Sequence, residues 1–182
     1  MQDLWVFGYG SLMWRPGFEH EERYPALLRG YHRSFCVYSH VHRGTPEKPG
    51  LVFGLDAGGA CRGVAFRVDA ARAEETRRYL QAREQVTLVY KDVVKPVELI
   101  GKTRKVAALC FVVDRSHGQY AGQLPFEEQV RLIAEGEGRS GRNPDYLEST
   151  VRHLDEAGAP DENLSRLWHA VAQRLHRSAA SR

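Results

Sequence analysis

Short runs of β-branched and aromatic residues, each bounded by turn formers, fill the first two thirds of the chain and predict strands near Leu4 to Tyr9, His32 to Val41, Leu51 to Leu55, Arg62 to Val68, Val86 to Glu98 and Arg104 to Val113. The stretch "HRGTPEKPG", residues 42 to 50, holds two prolines and two glycines and reads as the loop between neighbouring strands. The pattern then changes period. Asp69 is placed to cap a helix running to about Glu84, Pro125 opens one carrying Val130 and Ile133, and Asn143 with Pro144 makes a cap and first-turn pair for a third that Gly158 ends. Asp161 caps the last, whose Leu164, Leu167, Trp168, Val171 and Leu175 form an apolar stripe. A helix does not follow each strand, which argues against a doubly wound parallel sheet. The expectation is an α+β fold, with an antiparallel, strongly curved or barrel-like sheet and helices packed around it. The 182 residues, 42% of them hydrophobic, predict one domain over residues 1–176, with a frayed tail at 177–182.

Charge and cysteine usage narrow the function classes. Lys and Arg number 26 against 23 Asp and Glu, a net charge of +3, without the clustered basic excess of a nucleic-acid binder. Cys36, Cys61 and Cys110 are odd in number, widely spaced and set in apolar stretches, which reads as buried reduced thiols rather than a disulfide framework or zinc site. No leader pattern and no apolar run of membrane-spanning length is present, so a cytoplasmic address is expected.

Two stretches carry candidate chemistry. In "WVFGYGSLMW", residues 5 to 14, a dinucleotide fingerprint would need a third glycine where Met13 stands, and a phosphate loop would need a Lys-Ser or Lys-Thr pair. What remains is a strand ending in a turn where Gly8 and Gly10 lack side chains, so that a ligand can reach the backbone N–H groups; a turn packed by Tyr9 and Trp14 explains the same residues. In "YLQAREQV", projection at about 100° per residue puts Glu84 on the inward stripe of Ala73, Thr76 and Leu80. Burial and the negative end of the helix dipole would both raise its pKa, as a general acid/base at neutral pH requires; a salt bridge to Arg83 is the structural alternative. Glu75 projects to the opposite side, by default a solvated face. Ser11 lacks the elbow of a serine nucleophile, His40 and His42 lack a third metal ligand, and Tyr146 reads by default as a packed tyrosine.

Together, "WVFGYGSLMW", "HRGTPEKPG", "YLQAREQV" and "GRNPDYLEST" (141 to 150), in that order along nearly the whole chain, resemble the ChaC-like γ-glutamylcyclotransferases, specifically their glutathione-specific branch. The resemblance implies a small mixed, mainly antiparallel β-barrel with surrounding helices, no cofactor and no metal. It also implies lyase-type cleavage of glutathione into 5-oxoproline and cysteinylglycine, with that small molecule as partner and no nucleic acid, membrane or obligate protein partner. Carried over, Val6, Phe7, Gly8, Tyr9, Gly10 and Ser11 form the substrate loop, Glu84 is the catalytic glutamate, Tyr146 is a further substrate contact, and Glu75 matches a second family acid. Arg33 or Arg43 could attract a substrate carboxylate. One departure stands out: where the family commonly has Lys and a glycine-containing turn after its Arg-Glu pair, this chain has Gln85, Val86 and Thr87. The rival readings are a cyclotransferase for other γ-glutamyl amino acids or amines, and a non-catalytic small-molecule or protein-binding module that retains the fold.

Overall fold

The computed structural model describes residues 2–85 and 87–180. The elements run β1 (Leu4–Gly8), a 3-10 turn (Ser11–Met13), β2 (Glu22–Ser39), β3 (Gly50–Val68), α1 (Ala73–Glu84), β4 (Tyr90–Leu99), β5 (Arg104–Val113), α2 (Phe126–Glu135), β6 (Glu137–Gly138), β7 (Gly141–Arg142), α3 (Asn143–Glu156) and α4 (Glu162–Ala180). Strands β1, β3, β2, β4 and β5, in that order, close a barrel. β1 is antiparallel to β3 and parallel to β5, and β4 is antiparallel to both β2 and β5, so the barrel is mixed and mainly antiparallel.

The chain groups into two compact units, one of Met1–Ser34 with Gly54–His117 and the other of Phe35–Phe53 with Gly118–Arg182. Strands β2 and β3 each pass from one unit into the other. In the first unit, Leu4 and Val6 of β1, Leu12, Val68, Leu109 and Phe111 form a core against which Leu80 and Ala73 of α1 pack. Leu80 is fully buried, worth about 1.5–3 kcal/mol, and it fixes the roll of α1 one turn before Glu84. Gly63 of β3 lies where a Cβ would strike the Gly8 carbonyl and the Phe7 ring, so its missing side chain lets the end of β1 come in close.

In the second unit, α2, α3 and α4 pack through Val130, Ile133, Leu147, Leu154, Leu164, Leu167 and Val171, all buried. Asp161 caps α4 as expected, its Oδ1 accepting from the N–H groups of Asn163 and Leu164 at 3.1 and 3.2 Å. The N-terminus of α3 differs from expectation. Asn143 does not cap; its fully buried amide accepts from Leu51 N–H at 2.7 Å and donates to Leu51 C=O at 2.8 Å.

Strand boundaries differ most in three places. β2 begins ten residues before His32, the two runs at Leu51 and Arg62 are one strand, and the strand placed from Val86 starts at Tyr90, Val86 itself lying outside the described residues. The tail expected to fray from residue 177 is instead helical through Ala180, and Ser181 and Arg182 lie outside the described residues. Cys36, Cys61 and Cys110 are buried and free, and burial pushes the Cys110 thiol up to about 12.

Candidate active site

Glu84 is the last residue of α1, and the inward stripe predicted for it is real. Thr76 and Leu80 are buried, and the Glu84 side chain keeps only 20% of its exposure. Burial pushes its carboxyl above the ordinary carboxylate range, and Arg83 pulls it partly back, with Nε 3.3 Å from Oε1. The pair with Arg83 exists, and burial still dominates over it. Glu75, on the other side of α1, is exposed and lines a separate cavity of about 280 Å³ with Gly17, Phe18, Glu19, Arg72, Thr76 and Tyr79. The structure does not bring the two acids to one place, as helical projection argued.

The loop from Val6 to Ser11 leaves the barrel at Gly8 and turns at once. A Cβ at Gly8 would lie 3.0 Å from Leu12 Cβ and 3.3 Å from Met13 N as the 3-10 turn folds back, a tight fit that favours glycine. Within the turn the N–H of Met13 bonds Gly10 C=O at 2.8 Å and that of Arg15 bonds Ser11 C=O at 2.7 Å. The N–H groups that head such a turn have no partner inside it. Val6 and Phe7 are fully buried and Tyr9 nearly so, whereas Ser11 is exposed.

Two arginines hold this loop. Arg33 of β2 donates from Nε to Tyr9 C=O at 2.6 Å and from Nη2 to Arg62 C=O. A trans peptide sets its C=O and N–H on opposite sides, so anchoring the Tyr9 carbonyl turns the Gly10 N–H away from Arg33. The Arg33 guanidinium thus shapes the loop. Arg83 donates from Nη2 to Ser11 Oγ at 2.9 Å, and from Nη1 to Arg15 C=O at 2.7 Å, Pro16 C=O at 3.1 Å and Tyr79 Oη at 3.1 Å. It therefore joins the loop to Glu84, a link that apolar periodicity could not signal.

The departure after Glu84 also has a place. Gln85 ends α1, its N–H on Gln81 C=O at 2.9 Å, and its side-chain amide donates to Asp92 Oδ1 of β4 at 3.1 Å beside Gln81, which donates to Oδ2 at 3.2 Å. Two glutamines thereby fasten the end of the helix to the barrel. Val86 lies outside the described residues.

In the second unit, Tyr146 sits in the first turn of α3, its ring 6.0 Å from that of Phe35 and 5.8 Å from that of Phe53, with the Arg43 guanidinium 5.1 Å over its face. Arg43 also donates to Ser140 C=O at 2.7 Å. Tyr146 is thus a packed tyrosine, and it carries a cation on one face. His42 meets Ser140 Oγ at 2.9 Å and His40 stacks on Tyr38; among the described residues no group of three His, Cys, Asp or Glu could hold a metal.

The family model described as ChaC-like protein matches residues 4–174. The glutathione-specific γ-glutamylcyclotransferase of Escherichia coli (strain K12) is 35% identical over 172 residues, covering 94% of this chain and 74% of its own. Glutathione-specific γ-glutamylcyclotransferase 1 of Homo sapiens is 35% identical over 181 residues, covering 96% of this chain and 81% of its own. A crystal structure of a yeast γ-glutamyl cyclotransferase specific to glutathione superposes with a TM-score of 0.83 at 24% identity, over 97% of this chain and 99% of that one, a likeness of fold. Matched by the family model from its first strand into its last helix, the chain belongs to the ChaC-like family.

Proposed function

We propose that this chain is a glutathione-specific γ-glutamylcyclotransferase in which Glu84 serves as base and then as acid. The observation that carries the role of Glu84 is its buried carboxyl of raised pKa, tied through Arg83 to the loop that follows β1. The γ-glutamyl group brings its own nucleophile. Its α-amino nitrogen attacks the γ-carbonyl carbon and closes a five-membered ring, so high effective molarity replaces a Ser or Cys nucleophile. Glu84 takes a proton from the α-ammonium; the new C–N bond forms as the carbonyl π electrons move onto the γ-oxygen. Glu84 then returns the proton to the amide nitrogen as the tetrahedral centre collapses and the old C–N bond breaks, and the second proton of the ring nitrogen passes by the same carboxylate to the released amine, leaving a neutral lactam and the ammonium form of cysteinylglycine. A carboxyl of raised pKa suits both transfers.

In this reading the N–H groups that head the 3-10 turn, with the Gly10 N–H turned away from Arg33 by the anchor on Tyr9, face the γ-oxygen as its charge develops. Glu75, exposed on the opposite side of α1, stays outside the proton path. No helix among the described residues is long and apolar enough to cross a membrane. Three buried free cysteines suit a reducing cytoplasm.

The test is incubation with glutathione and mass detection of 5-oxoproline and cysteinylglycine, for the wild type and for Glu84→Gln. Loss of general acid/base catalysis predicts a fall of about 10²–10⁴-fold in the variant. Undiminished turnover would remove Glu84 from the mechanism. Faster cleavage of γ-glutamyl dipeptides than of glutathione would reassign the substrate, and calorimetric binding of glutathione without product would favour a binding module.

A further inference from the structure

Among the described residues, Glu84 has one charged neighbour acting on it, Arg83, whose nearest approach is Nε to Oε1 at 3.3 Å. A guanidinium free to choose would close a two-pronged pair on a carboxylate beside it. Here the other prongs are engaged elsewhere: Nη2 on Ser11 Oγ at 2.9 Å, and Nη1 on Arg15 C=O, Pro16 C=O and Tyr79 Oη at 2.7, 3.1 and 3.1 Å. Those acceptors come from both sides, the 11–16 segment and the preceding turn of α1. They tie the guanidinium to the loop, with Nε 3.3 Å from Oε1 of Glu84.

We propose that Arg83 is a positioning residue for the cyclisation: it fixes one oxygen of Glu84 and the substrate loop in a common frame and leaves the second carboxylate oxygen to meet the α-ammonium of a γ-glutamyl substrate. A two-pronged pair would occupy both oxygens and hold the carboxylate as a tightly bound anion, a poor proton carrier. Without the cation, burial alone would act on the acid, and the loop would lose its tie to α1. Arg83 serves both needs because its donors lie in one rigid plane; a lysine carries the charge on a single atom and cannot reach the same set.

This assignment rests on the cyclotransferase reading, and the experiment separates the two. Failure of the wild type to release 5-oxoproline from glutathione would sink that reading and this one with it; an active wild type leaves Arg83 to its own variants. The groups bearing on Glu84 are Arg83 from α1, Ser11 from the 3-10 turn and the Tyr79 hydroxyl, the latter two acting through Arg83. In Arg83→Gln, kcat should fall about tenfold to a hundredfold, and the acid limb of the pH–rate profile should move to higher pH, because the cation that favours the anion is gone. Arg83→Lys keeps the charge, so its acid limb should stay near the wild-type position while kcat stays low. Tyr79→Phe, a milder loosening, should lose several-fold in kcat with its acid limb unmoved, and it serves if Arg83→Gln does not fold. Wild-type kcat in Arg83→Lys, an unmoved acid limb in a folded Arg83→Gln, or full activity in Tyr79→Phe would overturn the assignment.

Discussion

Asn143 offers a prediction whose size follows from the structure. Its amide is fully buried and makes both of its recorded side-chain bonds to one residue, accepting from Leu51 N–H at 2.7 Å and donating to Leu51 C=O at 2.8 Å. Asn143→Leu conserves approximate size and leaves both backbone groups without those partners. A buried group deprived of its partner costs about 1–3 kcal/mol, so two cost roughly 2–6, less a fraction regained by the apolar side chain. A net loss of about 3 kcal/mol lowers the melting temperature of a chain this size by roughly 6–12 °C. Circular dichroism melts and urea titrations measure it. Asn143→Asp sharpens the test, because its carboxylate still accepts from Leu51 N–H but opposes Leu51 C=O unless protonated. Its folded pKa should therefore lie above the unfolded value of about 3.9. The folded state then binds more protons than the unfolded state, so the deficit is smallest at low pH and grows as pH rises through the folded pKa. A melting temperature for Asn143→Leu within about 2 °C of wild type, or an Asp deficit that is flat with pH, would refute the reasoning.

Two further predictions concern the first unit. Glu84 carries a raised folded pKa, so its contribution to stability is present below the unfolded value and is lost as pH rises through the folded one. Glu84→Gln should accordingly be inactive yet more stable than wild type at alkaline pH, with the gap closing in acid, as melts from pH 4 to 8.5 (roughly the span of carboxyl titration plus burial) would show. Arg33→Met removes the donors on Tyr9 and Arg62 carbonyls. With the Gly10 peptide no longer held, kcat on glutathione should drop about 10²-fold while KM changes less, the pattern of a lost transition-state contact.

The sequence-level reading was strongest where one side chain faces one way. The α1 stripe placed Glu84 inward and Glu75 outward, and the run Arg104 to Val113 matched β5 at both ends. It was weakest where glycine and proline sit inside strands. Pro25, Gly30, Gly58 and Gly59 lie outside the predicted runs, but Pro25 C=O accepts the Ile100 N–H at 2.8 Å, and the three glycines adopt φ of +86, +106 and +70 within β2 and β3. Such residues bend or bulge a long strand without ending it. The roles of Arg33, Arg83 and Asn143 were illegible for a different reason. Each reaches across a long stretch of sequence to a backbone or hydroxyl group, and neither periodicity nor propensity encodes which loop a polar side chain will meet.

The passage of β2 and β3 between the two units has a consequence for the order in which a nascent chain can be completed. Residues 35–53 are synthesised early, yet their unit also needs 118–180, so they must wait through the whole of α1, β4 and β5 before their companions emerge. The first unit likewise cannot close its barrel until β5 has left the ribosome, since β1 pairs with it directly. No single cut divides such a chain into two self-sufficient pieces. Expression of either half alone should yield apolar strands without partners and an aggregating product, which makes synthesis, and not only the finished fold, a process the two units must share.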